Sequence, residues 1–295
     1  MEGILVVSNA AAGSAEEEAV DAALEVLRAM TDVRVAETSK PEELDEVLRD
    51  VGERSVVVAG GDGSLHAVMN ALHRLRLLSK TRVGLLPLGT GNDFARGVGI
   101  PLDPEDAAQV IAAGATQRTD LIIDDDETVI VNNVHIGIGA EASRAADKLK
   151  PRLGRFGYAL GALSAGYRPQ LVRVTLQVDD RVVLRDRAVA QVALGNSSHV
   201  GGGTELIPGA NPSDGRIVVI VSRTRGLRSQ LAYLLRLRTG KHHLMREVDR
   251  TTGCDVVVEG EHFWAVADGE ISGPHHRRHW RLAAGVVEMF LPPAP

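Results

Sequence analysis

Two glycine-rich segments of this 295-residue chain carry the residue types of phosphate chemistry. In AGGDGSLHAVMNAL, residues 59–72, an apolar run ends in Gly60, Gly61, Asp62 and Gly63, and an amphipathic pattern with Leu65, Val68, Met69, Leu72 and Leu75 on one face begins at once. Successive glycines let main-chain N–H groups reach phosphate oxygens, and a helix N-terminus adds partial positive charge. Ser64 is placed to cap the helix or to give its hydroxyl to a phosphate. Asp62 would repel a bare phosphate and suits a metal ion, a metal-bound water or a ribose. The second segment, PLGTGNDFARG at 87–97, sets Gly89, Thr90 and Gly91 at the end of the next apolar run, and Asn92 and Asp93 open another helix. Either segment alone is also what a tight strand-to-helix turn looks like. Two on adjacent strands of one sheet would face each other across a crevice, which favours phosphate binding. No G-x-x-x-x-G-K-[ST] occurs, so the chain is not a P-loop enzyme.

The elements that must hold these loops alternate. Strands are expected at 4–7, 33–37, 55–59 and 83–88, with a helix through Ala19, Ala23, Val26, Leu27 and Met30 after the first. Ser39 and Glu42 have capping-box spacing ahead of a short helix with Leu44, Val47 and Leu48. This is the pattern of a mostly parallel, helix-covered sheet with ligands at the C-terminal strand ends. Near Thr119 the period changes: DLIIDD, TVIVNNVHI, LVRVTLQV, RVVLRD, AVAQVALG and RIVVIVS are β-rich, with a turn at Asp179-Asp180 and helices near 140–166 and 227–238. The expected fold is therefore α/β plus β: an α/β domain over 1–119, with 282–295 a candidate to rejoin it, and a β-rich, sandwich-like domain over 120–281.

Composition excludes other classes. Hydrophobic residues at 44% and charged residues at 24% rule out a disordered chain. Aromatics at 3% are too few for a base-stacking platform, so no nucleic-acid partner is expected. The single cysteine, Cys254, fits a reducing compartment; MEGILVVSNA lacks a basic n-region and its apolar stretch is short, so no signal peptide is expected, and no run approaches the length of a membrane span. The net charge of −6 divides unevenly: residues 1–143 hold 11 basic against 25 acidic side chains, −14, and residues 144–295 hold 22 against 14, +8. A basic C-terminal half suits an anionic surface. Lys148, Lys150, Arg152 and Arg155 precede an apolar helix with Phe156, Tyr158, Leu160 and Leu163, and Arg223, Arg225, Arg228, Arg236, Arg238 and Lys241 flank another.

The GGDGS and GTGNDFAR segments, with SNAAAGS at 8–14, LGNSSHVGGGTELIPGANPSDGRIVVIV at 194–221 and ADGE at 267–270, resemble the diacylglycerol kinase catalytic family of lipid kinases. The resemblance runs through nearly the whole chain. It implies an ATP- and Mg²⁺-dependent transfer of a phosphoryl group to a lipid hydroxyl, most readily diacylglycerol, in a site between the two domains. It also implies a cytoplasmic enzyme working peripherally at the inner face of the membrane.

By the same resemblance Asn9 and Gly13 belong to the first nucleotide loop, Thr38 is a phosphate-contacting threonine, and Gly60, Gly61, Asp62, Gly63, Ser64, Leu65 and His66 form the phosphate stretch. Gly89, Thr90, Asn92 and Asp93 complete the nucleotide site. Asp214 matches a metal-associated aspartate, with Asn211 and the backbone carbonyl of Arg216 as further ligands. Glu270 matches the general base, with Asp268 beside it, and Asp62 is grouped with both as catalytic. On its own, ADGE would be a type I′ hairpin turn. Ser64 stands where the family has threonine, Ala10 where it often has proline, and His66 where asparagine is common.

The GGDG loop is shared with NAD kinases, the nearest enzymatic alternative, and a non-catalytic nucleotide- or lipid-binding regulator is the alternative of another class. GIGAEA at 137–142 matches G-x-G-x-x-A but has no acidic residue at the required distance. His275, His276 and His279 are expected in a solvated basic loop with Arg277 and Arg278, and Asn196-Ser197-Ser198 is a formal glycosylation sequon. No segment reads as a dimerisation motif, which leaves a homodimer open.

Overall fold

A computed structural model describes residues 3–9, 14–137, 171–237 and 239–293. Gly13, Ala10, most of GIGAEA, the basic-apolar segment 148–169 and Arg238 lie outside the described residues. The chain divides into two compact units, Met1–Ile122 with Asn211–Gly215 and Ala283–Pro295, and Ile123–Ala210 with Arg216–Leu282.

The first unit alternates strand and helix: β1 (Ile4–Asn9), α1 (Ser14–Arg28), β2 (Val33–Thr38), α2 (Pro41–Arg49), β3 (Ser55–Gly60), α3 (Asp62–Arg74), β4 (Arg82–Pro87), α4 (Asp93–Val98) and α5 (Pro104–Ala112). The strands pair in parallel in the order β2-β1-β3-β4. All six residues of β3 are buried, as expected of β-branched side chains in a parallel sheet covered on both faces. The first connection runs to one side of β1 and the next to the other. The strand order thus reverses between β1 and β3, the switch point at which such sheets take ligands.

The helix starts differ from the expected caps. Ser39 donates from its N–H and its hydroxyl to Glu43 Oε2, at 2.8 and 3.1 Å, so the reciprocal partner lies one residue beyond Glu42. Gly61, not Ser64, is the N-cap of α3; Ser64 sits in its first turn, packed against Gly60.

The chain leaves the first unit in β5 (Thr116–Asp124), and the second unit is antiparallel: β6 (Val129–Ile130), β7 (Asn133–Gly137), β8 (Val172–Val178), β9 (Arg181–Val189), β10 (Gln191–Gly195), β11 (His199–Val200), β12 (Thr204–Glu205), β13 (Ile217–Ser222), α6 (Gly226–Leu237), β14 (Val248–Gly253), β15 (Asp255–Ala267) and β16 (Glu270–Phe290). Its main order is β14-β13-β10-β7-β15-β16, with β8 on β15 and β9 on β8. Asp179-Asp180 is the two-residue turn of the β8–β9 hairpin. The chain re-enters the first unit in β16, whose Glu288 and Met289 pair with Arg82 and Val83 of β4.

The basic loop expected at 275–279 is instead part of strand β16. Arg278 there is buried. Its guanidinium pairs with Asp124 and Asp126, and Nε lies 2.9 Å from Asp125. His279 meets Asp255 at 2.7 Å, and His275 meets the Ser272 hydroxyl at 3.0 Å. Arg277, Arg278 and His279 are consecutive and each finds a carboxylate on another segment, so the stretch carries no apolar period that would announce a strand. No helix among the described residues is long and apolar enough to cross a membrane.

Candidate active site

The parallel sheet of the first unit ends, on its C-terminal side, in Asn9, Thr38, Gly60 and Pro87, with Asn9 and Thr38 paired in register. The two glycine loops extend from β3 and β4. They touch one another rather than face across a gap: a Cβ on Gly89 would lie 2.6 Å from Gly61 Cα, and one on Gly61 would lie 2.9 Å from Gly89 Cα. Any side chain at either position would therefore force main chain away from main chain. The contact aligns the start of α3 with the start of α4.

Polar side chains lock that alignment. The Asp62 carboxylate accepts the N–H of Asp93 and of Phe94, each at 3.0 Å, so an anion from the first loop compensates the N-terminal N–H groups of α4. Asn92 adopts the left-handed conformation, at φ 50°, and its amide donates to the Gly89 carbonyl at 2.6 Å. Its Oδ1 is buried without a hydrogen-bond partner and is the nearest side-chain atom to the space over Gly89. A buried acceptor of this kind is expensive unless a donor reaches it. Thr90 and Gly63 are exposed, Asp93 is buried, and Ser64 is half-buried.

Two members of the expected phosphate stretch take other places. The Leu65 side chain is fully buried and its N–H is spent on the Gly61 carbonyl, so Leu65 anchors α3. His66 is buried and meets Asn70 of the next turn at 3.2 Å. Of the N-terminal loop, only the backbone pairing of Asn9 is described.

Asp214 belongs to the loop 211–215, which returns to the first unit. The loop is held by Asp120, a buried residue that sequence reading passed over. Asp120 Oδ2 accepts the Gly215 N–H at 2.7 Å, its Oδ1 accepts the Gly285 N–H at 2.6 Å, and its own N–H donates to the Pro212 carbonyl at 2.6 Å. Asn211 Oδ1 accepts the Ser213 N–H at 3.0 Å. The Asp214 carboxylate is exposed on this tethered loop. Asp214, the Asn211 side chain and the Arg216 carbonyl, in the next residue of the chain, are all-oxygen donors of the kind Mg²⁺ takes.

In the second unit, β15 and β16 join through Asp268 and Gly269, both at positive φ, 48° and 94°. ADGE is therefore a two-residue hairpin turn, and that turn presents Glu270 exposed at the first position of β16. Asp268 is a different kind of residue. Its carboxylate accepts N–H groups from Val131, Asn132 and Asn133 at 2.6, 2.8 and 3.1 Å, and its own N–H donates to the Asn133 carbonyl at 3.1 Å. It pins the hairpin to the 131–133 bend.

The LGNSSH segment joins the same network. Asn196, fully buried, donates to the Val131 carbonyl at 2.8 Å, and the N–H groups of Asn196 and Ser197 both reach the Asn132 carbonyl at 2.9 Å. That burial leaves the formal sequon inaccessible to a glycan. His135, on β7 beside Asp268, is buried with neither ring nitrogen hydrogen-bonded. Burial pushes its imidazole down to about 4, against the opposing pull of the Asp268 charge.

Residues 3–123 match the family model of the diacylglycerol kinase catalytic domain, and residues 132–290 match the YegS C-terminal NAD kinase beta sandwich-like domain. The chain thus belongs to the family of the YegS C-terminal NAD kinase beta sandwich-like domain, and its N-terminal part is similar to the diacylglycerol kinase catalytic domain. It is 32% identical over 179 residues to a protein named probable lipid kinase YegS from Salmonella dublin, covering 58% of this chain and 57% of the relative. It is 33% identical over 178 residues to a probable lipid kinase YegS-like protein from Chromohalobacter salexigens, covering 59% and 55%. The matched region thus spans less than two thirds of these relatives' length. A solved diacylglycerol kinase from Bacillus anthracis str. Sterne superposes with a TM-score of 0.80 at 22% identity, over 99% of this chain and 98% of that one. At that identity the likeness speaks for the fold alone.

Proposed function

We propose that this chain transfers the γ-phosphoryl group of ATP to the hydroxyl of a membrane lipid, diacylglycerol in the first instance, giving phosphatidic acid and ADP. The observation that carries the reading is the contact of Gly61 with Gly89 at the C-terminal ends of β3 and β4. It holds the start of α3, with Gly63 exposed, at the C-terminal strand ends, where main-chain N–H groups and the helix dipole meet a polyphosphate, while the start of α4 is held by Asp62. The unpartnered Asn92 Oδ1 supplies an acceptor for a nucleotide hydroxyl or amino group.

Transfer of this kind depends on positioning and on neutralising phosphate charge. Asp214, Asn211 and the Arg216 carbonyl would hold Mg²⁺, which would supply part of that neutralisation. Glu270, exposed at the start of β16, accepts the proton of the lipid hydroxyl as its oxygen forms the new bond to phosphorus and the bond to the ADP oxygen breaks. Asp62 and Asp268 act by holding the loops that carry these groups. The lipid acceptor and the basic C-terminal half both suit an enzyme held peripherally on an anionic membrane face.

The test is a radiolabelled-ATP assay with Mg²⁺ over vesicle-borne and micellar diacylglycerols, sphingoid bases and other hydroxylated lipids. Labelled phosphatidic acid is expected. A full panel without a labelled lipid overturns the reading, and NAD-dependent ADP formation would replace it with an NAD kinase.

A further inference from the structure

The two open edges of the second unit's sheet border a groove that the catalytic reading does not use. Among the described residues β9 pairs only with β8, and β14 only with β13. Between the β9 edge and the segments flanking β13 and β14 lies an open groove of about 960 Å³, lined by Arg185, Arg187, Arg223, Arg225 and Arg246 against Glu247 and Asp249. Five cations against two anions leave three positive charges in excess. Arg223 is paired with Asp249 at 2.8 Å, whereas Arg185 and Arg246 make no ion pair among the described residues. Val182 and Val183, on the same wall, are 45% and 38% exposed.

Guanidinium forks match phosphate oxygens, and cations beside exposed aliphatic side chains are the pattern of a surface that sits in a lipid headgroup layer. An added peptide strand is the poorer occupant. Arg225 already donates to the Ala188 carbonyl, so the β9 edge is not open to a continuous ladder there.

We propose that this arginine groove is a docking site for the phosphate headgroups of an anionic bilayer, with Val182 and Val183 entering the interface. It rests on the lipid-kinase reading only in giving the enzyme a reason to dock. The three arginines whose side chains have no ion pair or hydrogen bond among the described residues, Arg185, Arg187 and Arg246, are outside the proposed catalytic machinery.

The experiment sediments the full chain with vesicles of pure phosphatidylglycerol or pure phosphatidylcholine. Wild type should bind the former, in a salt-sensitive way, and not the latter. Each arginine near an anionic surface contributes roughly fivefold in partitioning, so Arg185→Gln, Arg187→Gln and Arg246→Gln together should weaken binding on the order of a hundredfold. The melting temperature of the triple variant should match wild type, which excludes misfolding whether or not a lipid is phosphorylated, and its activity on micellar lipid should be unchanged. In a second measurement, Val182→Trp should give a blue-shifted emission with phosphatidylglycerol vesicles alone.

Loss of vesicle binding in the triple variant supports the groove even if no lipid is phosphorylated; in that case the kinase reading fails and the groove stands. The groove is overturned if wild type ignores phosphatidylglycerol or if the triple variant binds as wild type does. It is equally overturned if inorganic phosphate at constant ionic strength displaces the protein completely, or if the variant loses only its retention on a poly-glutamate matrix.

Discussion

The carboxylate of Asp62, in the first glycine loop, accepts the main-chain N–H of Asp93, in the second, at 3.0 Å. An acidic residue in a phosphate loop is thereby explained without a ligand: it fastens α4 to α3, taking the Phe94 N–H with its other oxygen. Asp62→Ala should therefore lower stability by about 2–3 kcal/mol, because two N–H groups of a buried helix start lose their acceptor. Asp62→Asn keeps one acceptor oxygen but turns an NH₂ toward the other N–H, so it should lose about half of that. Thermal unfolding of the two variants separates them, and both should turn over more slowly, since the loops no longer share one geometry.

Gly89 and Gly63 make opposite predictions. Gly89→Ala sets a Cβ against the Gly61 main chain, so it should raise the KM for ATP at least ~10-fold and destabilise the fold, as overpacking does. A Cβ at Gly63 meets nothing within 4 Å. Alanine there is the better helix former by up to ~1 kcal/mol and should leave the melting temperature unchanged or higher. Any weakening of ATP affinity in Gly63→Ala then reports contact with the ligand itself, measured by calorimetric titration.

The contrast between these residues and Asp120 shows what the sequence made legible. Glycines next to a β-branched run and an amphipathic helix announce their loops, because turn chemistry and hydrophobic period are local. The alternating strands of the first unit and the Asp179-Asp180 hairpin are readable on the same grounds. Asp120 stands in a strand, and its partners Gly215 and Gly285 are remote in sequence, so nothing local marks it. The return of 211–215 to the first unit is hidden for the same reason. The 275–279 stretch of β16 reads as a solvated basic loop because Arg277, Arg278 and His279 are satisfied by cross-strand carboxylates rather than by an apolar face. Asn196 opens a formal sequon and is fully buried.

Asp120 yields the next prediction. It holds the loop of Asp214 from both sides, through Gly215 and Gly285. Asp120→Ala should cost about 2–5 kcal/mol by withdrawing a buried acceptor from two N–H groups. On the proposed function it should also raise the Mg²⁺ concentration for half-maximal activity, with ATP affinity in the absence of metal little changed. Asp120→Asn, which keeps one acceptor and turns an NH₂ toward the other N–H, should recover at most about half of the stability and only part of the Mg²⁺ response.

His135 gives stability a pH dependence with a defined sign. Unfolded, its imidazole titrates near 6.5; folded, it stays neutral down to about 4. Below pH 6.5 the unfolded chain takes up a proton that the folded chain refuses. Stability should thus fall between pH 6.5 and 4, by on the order of 3 kcal/mol, and be indifferent to this group above that window. His135→Leu should flatten the acid limb when urea midpoints are compared across that range.

Asp268 and Glu270 differ by two residues and should fail in different ways. Glu270 is exposed on a formed hairpin, so Glu270→Gln should leave the melting temperature and ATP affinity intact while lowering kcat by ~10²–10⁴, the range of a lost general base. Asp268 is bonded to three consecutive N–H groups of the 131–133 bend. Asp268→Ala should release that bend, lowering both the melting temperature and kcat. Asp268→Asn, which keeps an acceptor and loses the charge, should restore part of each. A Glu270→Gln enzyme with undiminished kcat would move the base elsewhere, whereas an Asp268→Ala enzyme with unchanged stability would show that the turn holds without its pin.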